Sequence, residues 1–192
     1  MIRLCFSGPS GTGKTTLATA VAERLDLPLC PVGARSVAAD MGFASPYDVD
    51  RAGRRAEFQR RLLAEKVAWE AAHEAFVTDR SVIDNLTYAV LHGIAEIDES
   101  FLDAVSRGSR RYTHLVYCSP KAFQQVDGDP VRLSSSAYHE IYDTVLRCFL
   151  DRYVAFPLSY VDGCRVLSLW QQESAEARLK RVEMFLSEGG SR

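Results

Sequence analysis

The feature that most constrains this chain is a run of eight residues near its amino end, Gly-Pro-Ser-Gly-Thr-Gly-Lys-Thr at 8–15. It follows an apolar, β-prone run at 2–6 and precedes a helical pattern in which Leu17, Val21 and Leu25 share one face. Strand, glycine-rich loop and helix in this order form the context of a G-x-x-x-x-G-K-[ST] motif. With glycine at about 7% of residues, fewer than roughly one chain in a hundred should match by chance. The run therefore predicts a phosphate-binding loop, or P-loop.

Each residue type in this loop suits a triphosphate. Gly8, Gly11 and Gly13 let the backbone turn its N–H groups toward phosphate oxygens, at the positive end of the following helix dipole. Lys14 would reach the β- and γ-phosphates as a point charge, and the Thr15 hydroxyl would ligate a Mg²⁺ ion that bridges them. We therefore expect ATP with Mg²⁺, bound by Gly8, Pro9, Ser10, Gly11, Thr12, Gly13, Lys14, Thr15 and Thr16.

Composition indicates one ordinary globular domain. The chain has 192 residues, of which 47% are hydrophobic and 25% charged, with a net charge of −2. Nucleic-acid binding would therefore need a local basic patch. Five cysteines, widely spread, indicate reduced thiols and a cytoplasmic protein, and we expect no membrane segment. We assign residues 1–188 to a single domain, followed by a frayed tail at 189–192.

Strand and helix patterns alternate along the chain, which predicts an α/β fold with a parallel sheet covered on both faces. The strand candidates are 2–6, 28–32, Phe76–Asp79, His114–Cys118 and Arg165–Leu169. Residues 42–53, with Pro46 and two glycines, predict an exposed connection. Residues 121–136, with Gly128 and Pro130, predict a flexible insertion.

A second group of chemically capable residues, Asp79-Arg80-Ser81, ends the third strand candidate. Ligands of open α/β sheets collect at such strand ends, so these residues are expected beside the P-loop. Phosphoryl transfer to an alcohol needs a proton acceptor and positive charge around the moving group. Asp79 would act as the base or help to hold Mg²⁺, and Arg80 would grip a phosphate. The alternative is an Asp79–Arg80 ion pair with Ser81 capping a helix.

Several segments resemble a known family. They are Gly8 to Thr16, Gly33 to Val37 with Met41-Gly42, Asp79-Arg80-Ser81 with Asp84 and Tyr88, and Asp129 with Val131-Arg132. Together they resemble the nucleoside and nucleotide kinases among P-loop proteins, especially thymidylate-kinase-like and ribosylnicotinamide-kinase-like enzymes, including bacteriophage kinases. The family usually carries Glu where Asp79 stands in its deoxynucleoside kinases, and the several-arginine lid of thymidylate kinases is not found around Arg132.

The resemblance implies a P-loop three-layer sandwich, with a five-stranded parallel sheet in the order 2-3-1-4-5 and a lid over the donor at about 121–136. It implies that Arg132 is a lid arginine acting in catalysis with Lys14 and Asp79, and that Arg35 lies beside the acceptor pocket. It also implies Thr15 and Asp79 as the residues around the metal. If the chain is phage-encoded, its compartment would be the host cytoplasm.

The acceptor is the least constrained part of the interpretation. Five arginines, with Phe43 and Tyr47 before them, would suit nucleotide phosphates and bases; they are Arg51, Arg54, Arg55, Arg60 and Arg61. We assign the acceptor to Arg35, Arg80, Phe43, Tyr47 and Arg54. The alternative is a solvated helix face balanced by Asp48, Asp50, Glu57 and Glu65.

Among the phage enzymes resembled are kinases that act on 5-hydroxymethyluracil within DNA, which we favour slightly as the acceptor over a free nucleoside or nucleoside monophosphate. A different class also stays open. In an ATPase switch, which needs no acceptor, Asp79 would position water and Mg²⁺. Acceptor-dependent ATP consumption separates the two classes.

Overall fold

The computed structural model describes residues 1–94, 97–120, 136–154, 163–170 and 173–188. Strands and helices alternate over most of this length. They are β1 (Arg3–Ser7), α1 (Lys14–Leu25), α2 (Ala34–Asp40), α3 (Pro46–Arg51), α4 (Arg55–Ala71), β2 (Phe76–Asp79), α5 (Val82–Leu91), α6 (Glu99–Ser109), β3 (His114–Cys118), α7 (Ser136–Val154), β4 (Arg165–Leu169) and α8 (Ala175–Ser187).

The described strands form one parallel sheet in the order β2-β1-β3-β4. In the register, Leu4 of β1 is paired with Val77 of β2 on one side and with His114 of β3 on the other. The expected α/β fold and the relative order of these strands are confirmed. All carboxyl ends of the strands consequently lie along one edge, where the P-loop leaves β1.

The strand predicted at 28–32 is wrong in extent, so the described residues form a sheet of four strands where five were expected. Only a single bridge pairs Leu29 with Val77, on the outer side of β2. Two hydrogen bonds support it, from Val77 N to Pro28 O and from Cys30 N to Val77 O. Pro28 and Pro31 lack an N–H group, so they cannot donate to a longer ladder.

Helices cover both faces of the sheet because alternate strand residues point to opposite sides. Leu4 and Phe6 pack with α1 and α8, in a cluster that includes Leu17, Val21 and Val182. The opposite face packs against α4, α5, α6 and α7, through residues that include Cys5, Leu63, Phe76, Leu86, Val105, Leu115 and Leu146. Two apolar layers therefore hold the strand ends, and the loops that leave them, in fixed positions.

The expectation of an exposed connection at 42–53 is wrong, because this segment contains α3. Ser45 caps the helix by accepting a hydrogen bond from Asp48 N, and Pro46 occupies its first turn. Val49 is buried in a third cluster with Val37 of α2 and Phe58 of α4. The segment thus packs α2, α3 and the start of α4 together on one side of the sheet edge.

Some predicted features cannot be compared with the structure. Residues 121–135, which hold most of the predicted lid and Arg132, lie outside the described residues, as does the tail at 189–192. Among the described helices, none has the length and apolarity needed to cross a membrane.

Candidate active site

The P-loop occupies residues 8–13, between the end of β1 and the start of α1. Gly8, Gly11 and Gly13 have φ angles of 143°, 79° and 75°, in the region that favours glycine. At Gly8 the need is also steric, because a Cβ atom there would lie 2.3 Å from the carbonyl oxygen of Cys118. The loop therefore lies directly against the end of β3.

A buried carboxylate on α5 holds the base of the loop. Asp84 Oδ2 accepts hydrogen bonds from Ser7 Oγ at 2.5 Å, Ser81 Oγ at 2.8 Å and Ser81 N at 3.0 Å. Its Oδ1 accepts from Tyr142 OH at 2.9 Å and from Gly8 N at 3.3 Å. Ser81 caps α5, and Asp84 completes a capping box with it. Sequence reasoning missed that the same carboxylate anchors the P-loop.

Lys14 is folded back onto the loop. Its Nζ donates to Pro9 O at 2.5 Å and to Thr12 Oγ1 at 3.0 Å. Burial, followed by the nearby Arg80 charge, lowers the pKa of Lys14 to about 8. The ammonium group is therefore still mostly charged near neutral pH, and it lies within the cup that a phosphate would fill.

Thr15 and Asp79 meet at the mouth of the loop. The Thr15 hydroxyl donates to Asp79 Oδ2 at 2.5 Å, which joins the start of α1 to the end of β2. Asp79 Oδ1 is buried and accepts no hydrogen bond from the described residues. A hydroxyl and a carboxylate with a spare oxygen are hard ligands that fit Mg²⁺. The described part of the chain has no cluster of three or more His, Cys, Asp or Glu suited to a metal. Mg²⁺ here would depend on nucleotide phosphates and water for its other ligands, as it commonly does.

Arg80 lies against the P-loop with a left-handed φ of 72°. Its Nη2 donates to Ser10 Oγ at 3.1 Å, and its Nη1 donates to Gly8 O at 3.3 Å. The guanidinium also lies over the Tyr88 ring, 5.0 Å from its centroid. The structure thus places Arg80, predicted for the acceptor, beside the donor loop.

Aromatic side chains of α5 and α7 form a wall next to Arg80. Tyr88 OH lies 3.1 Å from Ser10 Oγ. The Tyr88 ring is 4.7 Å from that of Tyr142 and is stacked on His92 at 6.1 Å, while Tyr138 lies 6.5 Å from Tyr142. Burial raises the pKa of Tyr138 to about 12, so it stays protonated. Sequence reasoning gave these residues no role, because helical spacing alone does not distinguish a pocket wall from ordinary packing.

The other predicted acceptor residues lie on or beside α2, α3 and the start of α4: Arg35 is in α2, Phe43 between α2 and α3, Tyr47 in α3, and Arg54 is the N-cap of α4. Phe43 is half-buried against this group of helices, and the Arg54 guanidinium lies 5.6 Å from its ring centroid. Tyr47 is half-buried on α3, and Arg35 is exposed in the first turn of α2. His92 of the aromatic wall lies 4.0 Å from Asp50 of α3, so the two groups of helices are neighbours.

The arginine-rich stretch is not an open basic groove. Each of its five arginines is paired with a carboxylate: Arg51 with Asp48, Arg54 with Glu57, Arg55 with Asp50, Arg60 with Asp98 and Arg61 with Glu65. This pattern matches the alternative interpretation of a balanced helix surface. Four of these carboxylates are the ones that the sequence suggests, and only the partner of Arg60 is unexpected, because Asp98 lies 38 positions away along the chain.

A protein-family model described as an AAA domain matches residues 3–163. The chain belongs to the AAA domain family. No curated protein sequence matches it.

Several solved structures share this AAA domain chain's fold. Deoxyadenosine kinase from M. mycoides, with dCMP and dCDP as products, has a TM-score of 0.63 at 13% identity, over 96% of this chain and 98% of that one. Shikimate kinase from Acinetobacter baumannii, in complex with shikimate, has a TM-score of 0.62 at 14% identity, over 98% and 94%. YorR from Bacillus subtilis, in complex with phosphorylated GDP, has a TM-score of 0.56 at 18% identity, over 96% and 95%. At these identities the likeness establishes the fold.

Proposed function

We propose that this chain is an ATP-dependent kinase that transfers the γ-phosphoryl group to a hydroxyl of a nucleoside or nucleotide. The observation that carries the proposal is the hydrogen bond from Thr15 to Asp79 at the mouth of the P-loop. It joins the loop that would hold the triphosphate to the strand end that would face the acceptor. Kinases are also among the solved structures of the same fold.

Each charged group then has a separate task. Mg²⁺, bound through phosphate oxygens, would stabilise the negative charge that develops on the phosphoryl group. Thr15 would ligate it, and the spare oxygen of Asp79 would hold it directly or through water, or act as the base for the acceptor hydroxyl. Lys14 would leave Pro9 O for the β- and γ-phosphates. Arg80 supplies a second cation beside Ser10. Arg132 as a lid arginine stays a prediction.

The aromatic wall favours a small acceptor with a ring to stack. Tyr88 OH lies 3.1 Å from Ser10 Oγ of the P-loop, and the rings of His92, Tyr142 and Tyr138 continue the aromatic surface from Tyr88. The paired arginines remove the main support for a DNA strand as acceptor. We therefore place a free nucleoside or nucleoside monophosphate first and 5-hydroxymethyluracil in DNA second.

An ATPase switch is the second candidate, because the family model is described as an AAA domain. Its P-loop, Mg²⁺ ligands and fold would be the same. The two differ in the fate of the phosphoryl group, which stays on an acceptor in one case and is released to water in the other.

The test follows γ-labelled ATP with four sets of acceptors: free nucleosides, nucleoside monophosphates, shikimate, and DNA containing 5-hydroxymethyluracil. We expect label on a nucleoside or monophosphate with the wild-type protein and none with Lys14→Ala. Lys180→Ala, on the exposed face of α8, is the control and should transfer normally. Label only on DNA would reverse the order of acceptors. Steady release of inorganic phosphate, indifferent to every acceptor, would replace the kinase with the switch.

A further inference from the structure

Two opposite charges are buried behind the strand that carries Asp79. Lys66 and Glu70 of α4 expose only 2% and 0% of their surface. Lys66 Nζ donates to Thr78 Oγ1 at 2.6 Å and lies 3.5 Å from Asp79 O and 3.9 Å from Glu70 Oε1. Burying ions in a core is costly, and a hydrophobic pair of similar volume is often at least as stable. Stability alone therefore does not explain why Lys66 and Glu70 are buried here.

The backbone that Lys66 touches is strained. Arg80 has a left-handed φ of 72°, which costs a residue with a Cβ atom about 1–2 kcal/mol. In a regular strand, consecutive side chains point to opposite faces. At this turn, both Asp79 and Arg80 instead reach the P-loop, through Thr15 and Ser10 respectively. The turn is thus what allows one short segment to supply both a carboxylate and a guanidinium to the site.

A buried network formed by Lys66, Thr78 and Glu70 holds this turn. Thr78 Oγ1 donates to Arg80 O at 3.3 Å, and Lys66 donates to Thr78 Oγ1 and approaches Asp79 O. Arg80 N is fixed separately, by donating to Phe6 O at 2.9 Å. Glu70 Oε1 lies 3.9 Å from Lys66 Nζ and accepts from Tyr112 OH at 3.2 Å. The carbonyls on both sides of the strained residue are therefore in contact with one network.

We propose that Lys66 is a positioning residue, which acts with Thr78 to hold the Asp79–Arg80 turn so that the Asp79 carboxylate faces Thr15 and the metal. This positioning role rests on the proposed function only for what the metal does, because Mg²⁺ would serve phosphoryl transfer. The contacts themselves predict an effect on Mg²⁺ binding whether or not an acceptor is found. A packing role alone would predict an effect on stability with no change in the metal.

The test measures how Mg²⁺ tightens the binding of a fluorescent ATP analogue, alongside thermal unfolding. Lys66→Met removes the charge, Thr78→Val removes only the hydroxyl, and the double variant Lys66→Met/Glu70→Gln removes both charges so that no ion is left unpaired. Lys180→Met is the matched control, because Lys180 also pairs with a glutamate one turn away, Glu176, but in solvent.

We expect all three variants to raise the half-saturating Mg²⁺ concentration by about tenfold or more, the size of effect seen when a residue supporting a metal ligand is lost. Affinity for the analogue without Mg²⁺ should change by less than about threefold, since the P-loop is intact. Lys180→Met should match the wild-type protein. If Lys66→Met does not fold, Thr78→Val and the double variant decide the result.

Folded Thr78→Val and double variants with wild-type Mg²⁺ dependence would overturn the inference. If the wild-type protein nevertheless transfers phosphate to an acceptor, the kinase proposal is kept and only the positioning role of Lys66 is rejected. If Mg²⁺ dependence shifts as expected but no acceptor receives label, the positioning role stands and the kinase proposal fails. Nucleotide binding that is indifferent to Mg²⁺ in the wild-type protein would overturn both.

Discussion

At Gly8 the P-loop lies directly against the end of β3. The φ of 143° at this residue and the Cys118 carbonyl leave no room for a Cβ atom. We predict that Gly8→Ala lowers the free energy of unfolding by about 2–3 kcal/mol, as overpacking and backbone strain do, and weakens ATP binding sharply. Chemical denaturation and a nucleotide titration measure the two effects.

Gly42→Ala is the matched control for this substitution. Gly42 also has a positive φ, 83°, but a Cβ atom there would meet nothing within 4 Å. Only backbone strain remains, so we expect a loss of about 1 kcal/mol and normal ATP binding. Equal effects of the two substitutions would contradict the close approach of Gly8 to β3.

Asp84 connects the loop to α5 through its charge. Asp84→Asn keeps the shape but turns one acceptor oxygen into a donor, beside the donors Ser7 Oγ and Ser81 N. We expect a loss of about 2 kcal/mol in unfolding free energy, since hydrogen bonds to a buried charge are lost, and a weaker affinity for ATP. Asp103→Asn, which breaks only an exposed pair with Arg107, should change stability by less than about 1 kcal/mol. Unchanged ATP affinity in Asp84→Asn would show that the carboxylate does not organise the loop.

At the scale of elements, the packing of α4 on β2 makes stability depend on pH. Burial raises the pKa of Glu70 from 4.5 to about 7, and Lys66 offsets only part of this. Between pH 4.5 and about 7, Glu70 therefore keeps a proton in the folded protein that it has lost in the unfolded chain. The free energy of unfolding consequently falls as the pH rises through this window. The charged and titratable groups near Glu70 are Lys66, Arg111, Tyr112, Cys5 and Cys30.

Glu70→Gln removes this dependence. Between about pH 5 and pH 8, we expect the wild-type protein to lose roughly 2 kcal/mol of unfolding free energy relative to the variant. Comparing the variant with the wild-type protein cancels the contribution of His114 to this pH dependence. Burial lowers the pKa of His114 to about 4, and it titrates in the same way in both proteins. Chemical denaturation at several pH values measures this change in the free energy of unfolding, with Glu176→Gln at an exposed position as the control. Parallel stability curves for Glu70→Gln and the wild-type protein would mean that Glu70 ionises normally in the fold.

The elements also show how far sequence reasoning reaches. Buried parallel strands are short apolar runs, so His114–Cys118 and Arg165–Leu169 were predicted with the bounds that the structure has. The strand at 28–32 was overestimated because its apolar run was given more weight than Pro28 and Pro31, which cannot donate hydrogen bonds to a ladder. Helix α3 was missed because loop composition outweighed its Ser45-Pro46 start.

At the candidate site, the P-loop and Asp79 could be predicted because each lies in a local motif behind a strand. The partners of Asp84 and Lys66 could not. Tyr142 is 58 positions from Asp84, and Thr78 meets Lys66 only because α4 folds back along β2. Contacts of this kind depend on tertiary packing, which a single sequence does not encode in any local pattern.

At the scale of the whole molecule, the site is assembled where three parallel strands end. The P-loop leaves β1, Asp79 ends β2, and the Cys118 carbonyl ends β3 beneath Gly8. Helices α5 and α7 complete it from one face of the sheet with Asp84, Tyr88 and Tyr142. A ligand at this edge would therefore contact residues that are distant in the sequence but fixed by one core.

A crystal structure with a non-hydrolysable ATP analogue and Mg²⁺ would show whether the P-loop holds a triphosphate as proposed. We predict that the β- and γ-phosphates lie inside the loop of residues 8–13, with Lys14 Nζ in contact with them and the metal bound to Thr15 Oγ1 beside Asp79. An empty loop, or a metal bound away from both Thr15 and Asp79, would contradict the proposal.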